Sequence, residues 1–239
     1  MAAAQIAVDD NPKANVETIV RFIDKAAMAN CDLVCFPESS IIHQVKDASS
    51  AARFLEIIQR RCRQRSIWCI VGSLERNIND VQNCAYLIDR KGKLVLRYAK
   101  VHLYADELRR NIKPGRVIRV IRTELGRLGI IICYDFAFPE FIRKLSLSNV
   151  EVLFCPSFMV DYRGWENLIR AIPLVRAFEN TTFYVHSDAV RRNETAAMSF
   201  ISSPQQIVAS LEKRQGLIMA TLDLEHLRRL KKHFAVFKH

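Results

Sequence analysis

Glycine is scarce in this sequence, with 7 in 239 residues, and no cluster of them could form a phosphate-cradling loop. The usual nucleotide-binding motifs are therefore excluded. No apolar run approaches the ~20 residues that a membrane-spanning helix needs, so we expect a soluble protein. The sequence has no CxxC pair, and its 6 histidines show no metal-ligand spacing, so we expect no metal site.

The cysteines do not indicate a disulfide framework. Their number, 7, is odd and their spacing irregular, and the chain begins with neither the basic nor the apolar region of a secretory signal. These features favour reduced cysteines and a cytoplasmic protein. Several cysteines lie in apolar contexts and are interpreted as core fillers, namely Cys31, Cys35, Cys69, Cys84 and Cys155.

Basic residues exceed acidic ones, 36 against 25, and the formal net charge is +11. Such an excess fits a nucleic-acid partner, an anionic substrate or a solvated basic surface. The basic clusters at 60–65 and 228–232 lie within helical apolar patterns and have no interleaved aromatic residues for base stacking. We therefore interpret them as solvated helix faces and expect no nucleic-acid partner.

Apolar spacing alternates along the chain between helix-like and strand-like periods. Residues 15–30 repeat at three and four positions, as in an amphipathic helix, and the apolar run at 32–36 indicates a buried strand. Pairs of strand-like runs around "DRKG" and "ELGR" indicate hairpins within 85–99 and 116–133. The other predicted elements are helices 48–65, 139–149, 165–180 and one from Glu225, and strands 66–73, 150–155, 182–187, 198–203, 206–210 and 217–224.

This alternation of helices with nearly continuous apolar strands is typical of an α/β fold, in which helices cover a sheet. The hairpins make the sheet mixed. No Pro-, Gly- or Ser-rich linker and no internal repeat divides the chain. We therefore predict a single domain over 1–239.

Three predicted strands are followed by an ionisable residue. Pro37 ends the strand in "LVCFPESS", because it cannot donate to a ladder, and leaves Glu38 at the strand mouth. Lys100 follows the strand-like run in "LRYAKVHLY", and Cys133 closes the run "GIIIC". Loops at the carboxyl ends of strands are where α/β folds gather ligands, so these side chains could converge.

A cysteine, a carboxylate and a lysine brought together can hydrolyse an amide. The thiolate of Cys133 is the nucleophile, and Glu38 could take the thiol proton if burial raises its pKa. Lys100 and the backbone N–H of Tyr134 could then stabilise the developing negative charge. Each residue also has an ordinary interpretation, as an apolar filler, a capping carboxylate or a solvated lysine.

These motifs resemble those of the nitrilase superfamily, the carbon-nitrogen hydrolases, over nearly the whole chain. The family pattern of an "FPE" glutamate, a "YRKxHL" lysine and a "CYDxxFPE" cysteine reads here "FPES" (Glu38), "YAKVHLY" (Lys100) and "CYDFAFPE" (Cys133). Accessory features agree in the same order, namely Gln5, Asn15, Gly72, Glu75, Gly115, "RAFEN" at 176–180 and Asp223.

The resemblance implies a four-layer-type α-β-β-α sandwich with mixed sheets, usually paired as a homodimer or higher homo-oligomer. It implies cofactor-free hydrolysis of a non-peptide amide, with Glu38 as base, Lys100 as oxyanion stabiliser and Cys133 as nucleophile. Glu107 in "HLYADELRR" matches a second glutamate that members often carry, and the resemblance makes it a further candidate catalytic residue. The "CYDxxFPE" form is more typical of small-molecule amidases, so we predict an amidase that releases ammonia from a small amide.

Two loops depart from the family pattern. Asp188 lies near the position of a usual asparagine, and in "AMSFISSPQQ" Ala197 and Gln206 replace both glycines of "GxSxIxxPxG". Glycine permits backbone angles that other residues resist, so the pocket could differ from that of relatives. An N-carbamoyl hydrolase, a nitrile hydrolase and a catalytically silent binding relative are therefore alternatives.

Other candidates lie near the motifs. Asp135 and Glu140 are interpreted as scaffold residues, Glu140 at a helix start. Tyr134 is a candidate substrate-binding residue through its amide, and Trp165 in "RGWENL" through its ring at the pocket mouth. Some loop arginines could hold a substrate carboxylate or simply be solvated, namely Arg163, Arg191 and Arg192.

Overall fold

The computed structural model describes residues 1–160, 163–191 and 194–234, and in them the chain forms twelve strands and six helices. The strands are β1 (Ala2–Gln5), β2 (Leu33–Cys35), β3 (Trp68–Arg76), β4 (Val81–Ile88), β5 (Leu94–Ala99), β6 (Val120–Thr123), β7 (Gly126–Ile130), β8 (Val152–Ser157), β9 (Phe183–Asp188), β10 (Met198–Ser202), β11 (Ile207–Glu212) and β12 (Gly216–Met219). The helices are α1 (Pro12–Met28), α2 (Ala51–Arg65), α3 (Ala105–Arg109), α4 (Pro139–Leu147), α5 (Glu166–Asn180) and α6 (Leu224–Phe234), and 3-10 turns span Val45–Ser50 and Cys133–Ala137.

The strands form two six-stranded mixed sheets. The first has the order β12-β1-β2-β3-β4-β5, and the second has the order β11-β10-β9-β8-β7-β6. In each sheet three neighbouring strands run parallel, β1-β2-β3 in the first and β7-β8-β9 in the second. The strands outside these triplets pair antiparallel. The arrangement confirms the predicted α/β fold with mixed sheets.

Strand residues alternate between two apolar layers, because successive side chains of a strand point to opposite faces. Val34 and Cys69 pack with α1 and α2, whereas Cys35 and Ile70 belong to the core shared with the second sheet. Helices α4 and α5 cover the outer face of the second sheet. The four layers are therefore helices, sheet, sheet and helices, which confirms the predicted α-β-β-α sandwich.

The side chain of Ser187 makes polar contacts across the apolar interface between the sheets. The hydroxyl of Ser187 on β9 lies 2.6 Å from the carbonyl oxygen of Ala4 on β1 and 3.1 Å from that of Cys35 on β2. Ser187 is fully buried. Since a buried hydroxyl needs a partner, this contact favours one alignment of the two sheets.

Differences between the predicted and observed elements have local causes. The pattern does not predict β1, because "AAAQ" contains no β-branched residue, or α3, which has only five residues. β3 extends to Arg76 and pairs with β4, so a second hairpin precedes the predicted one. β7 ends at Ile130, and the predicted strand end at Cys133 is wrong, since Cys133 begins a 3-10 turn.

The two basic clusters lie on helices, as predicted. Arg65 at the end of α2 pairs with Asp24 at 2.8 Å, and Arg228 on α6 pairs with Glu151 at 2.6 Å. The absence of a nucleic-acid partner stays a prediction. Over residues 1–160, 163–191 and 194–234, no helix has both the length and the apolar character needed to cross a membrane.

Candidate active site

Glu38, Lys100 and Cys133 meet at one end of the sandwich, where they line a cavity of about 300 Å³. Glu38 follows the parallel strand β2, and Lys100 directly follows β5 of the same sheet. Cys133 follows β7 of the second sheet. The predicted convergence is thus observed, and it brings together a carboxylate and an ammonium from one sheet with a thiol from the other.

Lys100 is buried between two carboxylates. Its Nζ lies 2.7 Å from Glu38 Oε1 and 2.6 Å from Glu107 Oε2, and the lysine is only 2 % exposed. Glu107 also accepts the N–H of Tyr104 at 2.9 Å and so fixes the first turn of α3. The predicted second glutamate therefore lies where it orients Lys100.

Asn83 on β4 completes this buried group, and the sequence pattern did not reveal it. Its Nδ2 donates to Glu38 Oε1 at 2.6 Å and to Glu107 Oε1 at 2.7 Å. A polar residue inside an apolar strand is the signal that could have identified it, but the predicted strand starts at 85, beyond this position. With both carboxylates hydrogen-bonded by Asn83 and Lys100, their geometry is fixed from two sides.

The backbone of Cys133 is strained and turns away from the direction of β7. Its φ is 44, in the left-handed region that residues other than glycine rarely adopt. The thiol Sγ lies 3.5 Å from Met159 Sδ and 3.9 Å from the carbonyl oxygen of Phe158. The N–H groups at the start of the 3-10 turn, including that of Tyr134, have no acceptor within the turn and are available for an oxyanion.

Asp135 ties the cysteine turn to the segment that follows Lys100. Its Oδ2 accepts the Tyr98 hydroxyl at 2.6 Å and the Ile132 N–H at 3.0 Å, and its Oδ1 accepts the His102 N–H at 2.8 Å. These are the contacts of a scaffold residue, as predicted. Glu140 is exposed in the first turn of α4, where a carboxylate favours the helix dipole.

Burial and neighbouring charges set the protonation of the three central groups. Burial and the charge of Glu38 raise the pKa of the Cys133 thiol well above its usual range, against Lys100, which lowers it. Burial also raises the pKa of Glu38, although Lys100 opposes the shift. Burial lowers the pKa of Lys100, but Glu38, Cys133 and Glu107 outweigh it and hold this pKa well above its usual range. The resting site therefore holds a charged ammonium beside a thiol that needs a base.

Gly72 on β3 explains one of the accessory sequence features, because it lets the Glu38 segment approach. A Cβ on Gly72 would lie 2.6 Å from Ser39 N, 2.7 Å from Pro37 O and 2.9 Å from Glu38 Cα. All three are backbone atoms, so Gly72→Ala should displace Glu38 and destabilise the protein by about 1–3 kcal/mol. Denaturant unfolding measures this loss, and unchanged stability would contradict the close approach. Gly129→Ala is the comparison variant and should cost less, because a Cβ there would meet only side-chain atoms, the nearest at 3.0 Å.

The two predicted substrate-binding aromatic residues do not line the cavity with their rings. The Tyr134 ring packs edge-to-face on Tyr104 and Phe138, with centroids 5.3 Å apart in both pairs. Trp165 immediately precedes α5 and is 59 % exposed. Neither belongs to the described lining of the cavity, so a role for Tyr134 would fall to its backbone amide, and the role of Trp165 stays a prediction.

The candidate arginines are not gathered around the cavity. Arg191 pairs with Asp10 at 3.1 Å and Glu194 at 2.9 Å, so its charge is already balanced. Arg163 is exposed, and Arg192 lies outside the described residues. The arginines that do line the cavity, Arg109 and Arg110, both lie within 3.6 Å of Asp106. The described residues contain no group of His, Cys, Asp or Glu side chains that could hold a metal ion.

The departures from the family pattern lie in or beside strands of the second sheet. Ala197 has φ 49, so it keeps a left-handed conformation that glycine would adopt without strain. Gln206 closes a turn, with its carbonyl oxygen 2.9 Å from Ser203 N. Asp188 is fully buried at the end of β9, and its carboxylate accepts backbone N–H groups.

Fold and site together define a class: an α-β-β-α sandwich that buries a cysteine, a lysine and two glutamates beside a small cavity. The profile of the family described as carbon-nitrogen hydrolase matches residues 1–232. The chain therefore belongs to the carbon-nitrogen hydrolase family, as the motifs predicted, and the predicted enzyme class follows from that membership.

Relatives in sequence and in structure agree with this assignment. Deaminated glutathione amidase of Mus musculus is 28 % identical over 269 residues, covering 100 % of this chain and 82 % of the relative. The amidase from Nesterenkonia sp. AN1, in a mutant with acrylamide added at its active-site cysteine, superposes with TM-score 0.85, 20 % identity and coverage of 98 % of each chain. A carbon-nitrogen hydrolase from Helicobacter pylori G27 superposes with TM-score 0.92 and 17 % identity, covering 99 % of this chain and 93 % of the other. The structural likenesses confirm the fold.

Proposed function

We propose that this protein is an amidase that hydrolyses a small non-peptide amide through a thioester on Cys133 and releases ammonia. The observation that carries the proposal is the convergence of Glu38, Lys100 and Cys133 on one cavity, with both Lys100–carboxylate distances below 2.8 Å. The relatives named as amidases support the choice of an amide over a nitrile.

Glu38 is the base in this mechanism. It takes the Cys133 proton as the sulfur attacks the amide carbon, and its raised pKa suits both this step and the return of the proton to departing ammonia. The same carboxylate then activates the water that cleaves the thioester, which returns the thiol and releases the acid. Glu38 raises the pKa of Cys133 and Cys133 lowers that of Glu38, and this mutual effect of two neighbouring groups supports direct transfer.

Lys100 stabilises the oxyanion together with the Tyr134 amide. Each donor of this kind contributes about 3–4 kcal/mol in known oxyanion holes. Glu107 and Asn83 do not transfer protons in this scheme. They hold Lys100 and Glu38 in place, and preorganisation of this kind avoids a cost when charge develops.

The cavity volume of about 300 Å³ supports a small-molecule substrate. Brief incubation with a panel of short amides, carbamoyl compounds and nitriles, followed by intact-mass measurement, should trap a thioester adduct on Cys133. Ammonia release should accompany turnover, and carbon dioxide appearing with it would instead identify an N-carbamoyl hydrolase. Absence of any adduct and of ammonia across the panel would favour the silent binding alternative.

A homodimer is also proposed, and an exposed apolar stripe on α5 supports it. The stripe consists of Trp165, which caps α5, and of Leu168, Val175 and Phe178 within it; the four recur at helical spacing and are 45 % to 61 % exposed. Apolar patches of this kind often mark interfaces. A cytoplasmic location is proposed as well, supported by the seven cysteines being free.

Phe178→Asp should convert the proposed dimer to a monomer, because it places a charge in the centre of an apolar contact. Light scattering coupled to size-exclusion chromatography measures the mass directly. Ile78→Asp is a matched control, since Ile78 is 99 % exposed in a different part of the molecule. A wild-type monomer, or a Phe178→Asp dimer, would contradict the interface.

A further inference from the structure

Asp188 is a buried carboxylate beside the site that the proposed chemistry does not use. Its Oδ1 accepts the N–H groups of Met159 at 3.0 Å and Ala189 at 2.9 Å, and its Oδ2 accepts that of Met198 at 3.1 Å. The side chain is fully buried. Its partners among the described residues are thus backbone N–H groups on the segment after β8, on its own strand end and on β10.

The segment after β8 touches both halves of the site. The Phe158 carbonyl and the Met159 sulfur lie 3.9 Å and 3.5 Å from the Cys133 thiol. The carbonyl of Ser157 accepts the backbone N–H of Glu38 at 3.3 Å. Segment 157–159 therefore contacts both the thiol of Cys133 and the backbone of Glu38, and the Met159 N–H is one of its attachments to the fold.

We propose that Asp188 is a positioning residue: its ionised carboxylate holds segment 157–159 against Cys133 and Glu38, and protonation loosens that segment. This inference rests on the proposed function. A carboxylate offers about four acceptor sites and accepts all three N–H groups. A neutral acid, or an asparagine of the same shape, turns one of its two polar atoms into a donor that faces an N–H. At least one of the three contacts is then lost, and those that remain, including that of Met159, weaken, because a hydrogen bond to an ionised acceptor is roughly twice as strong as one to a neutral acceptor.

The surroundings of Asp188 place its titration in the neutral range. Burial raises its pKa to about 7, against the three N–H groups, which lower it. Glu38, on the first sheet, raises it further. On β9 itself, His186 is neutral, because burial lowers its pKa to about 3. From β10, the Ser199 hydroxyl accepts the Asp188 N–H at 2.9 Å and carries no charge.

The test compares alkylation of Cys133 by iodoacetamide in the wild type and in Asp188→Asn between pH 5.5 and 8.5, read as adduct on the Cys133 peptide by mass spectrometry. At pH 8.5 the wild type should react about tenfold faster, the value of one hydrogen bond of about 1.4 kcal/mol. At pH 5.5 the rates should coincide, because protonated Asp188 and asparagine are equally neutral. Glu38 and Cys133 titrate in both proteins, and loss of the negative charge of Asp188 would by itself favour the thiolate and speed the variant, which is opposite to the expected result.

Glu151→Gln is the matched control. Glu151 is a buried carboxylate beside the same sheet that accepts the Arg127 N–H at 2.9 Å and pairs with Arg228, away from segment 157–159. The rate of Cys133 alkylation in Glu151→Gln, divided by that in the wild type, should not vary with pH. If the ratio of alkylation rates between wild type and Asp188→Asn did not change with pH, the positioning role would be overturned and the proposed function would stand. Wild-type Cys133 that does not react at any pH would overturn both.

Hydrogen exchange of the wild type tests the same role without a variant. After correction for the intrinsic pH dependence, protection of the Met159 and Met198 amides should fall between pH 8 and pH 6, while the Arg127 amide stays unchanged. Constant protection of Met159 over this range would overturn the inference even if Asp188→Asn failed to fold.

Discussion

Cys133→Ala is expected to lower the rate of ammonia release by about 10⁴-fold or more, because the covalent route disappears with the nucleophile. The fold should persist, since alanine fits a position that already holds a small side chain and meets the same backbone φ of 44. Steady-state ammonia assays with the best amide of the panel measure the loss. Far-ultraviolet circular dichroism checks the fold.

Cys62→Ala is the matched control for this loss. Cys62 is also fully buried and free, but it belongs to the core between α2 and the first sheet and does not line the cavity. The control should keep wild-type activity within a few-fold. Residual hydrolysis by Cys133→Ala at a comparable rate would eliminate the thiol mechanism.

Lys100→Met should have the largest effect on stability. It leaves Glu38 and Glu107 buried opposite each other without the ammonium that lies 2.7 Å and 2.6 Å from them. Removing one partner of a buried ion pair costs about 3–5 kcal/mol. Activity should fall as well, by about 10²–10³-fold for the lost oxyanion donor. Denaturant unfolding and ammonia assays give the two numbers separately.

The stability lost in Lys100→Met should become smaller as the pH falls. Without the ammonium, the pKa of Glu38, already raised by burial, rises further above its value in the unfolded chain. A raised carboxyl pKa in the folded state means that folding binds protons, so the variant gains stability as pH falls from 8 towards 5. Lys91→Met, at an exposed lysine, should change stability by less than about 0.5 kcal/mol at either pH. A loss in Lys100→Met that grows on acidification would contradict the buried pairing.

The convergence of Glu38, Lys100 and Cys133 could be predicted from the sequence because these residues lie beside strand ends. Glu38 and Lys100 interrupt apolar runs at positions where a strand stops, and Cys133 lies in a motif that a family resemblance identifies. Asn83 could not be found in the same way. Its importance lies in two contacts, to Glu38 and Glu107, that are 45 and 24 positions away along the chain. Pairings at such separations depend on which strands become neighbours.

The limits of the fold prediction have the same physical origin. Helices such as α1 and α5 could be predicted from their own residues, because burial of one helix face requires apolar residues at intervals of three and four. β1 has no such signal, since "AAAQ" becomes a strand by lying between β2 and β12, which begins more than 200 residues away. The conformation of Cys133 could not be predicted either, because the apolar run continues three residues past the last residue of β7, through Cys133 itself.

The origin of the site in both sheets has a consequence for mutations far from the cavity. The Glu38 carboxylate and the Lys100 ammonium move with the first sheet and the Cys133 thiol moves with the second, so a small slide between the sheets changes their separation directly. The Ser187 hydroxyl and the apolar side chains between the sheets therefore fix the relative position of the groups in the site. Variation in that dry interface would tune the reaction without altering any group that meets the substrate.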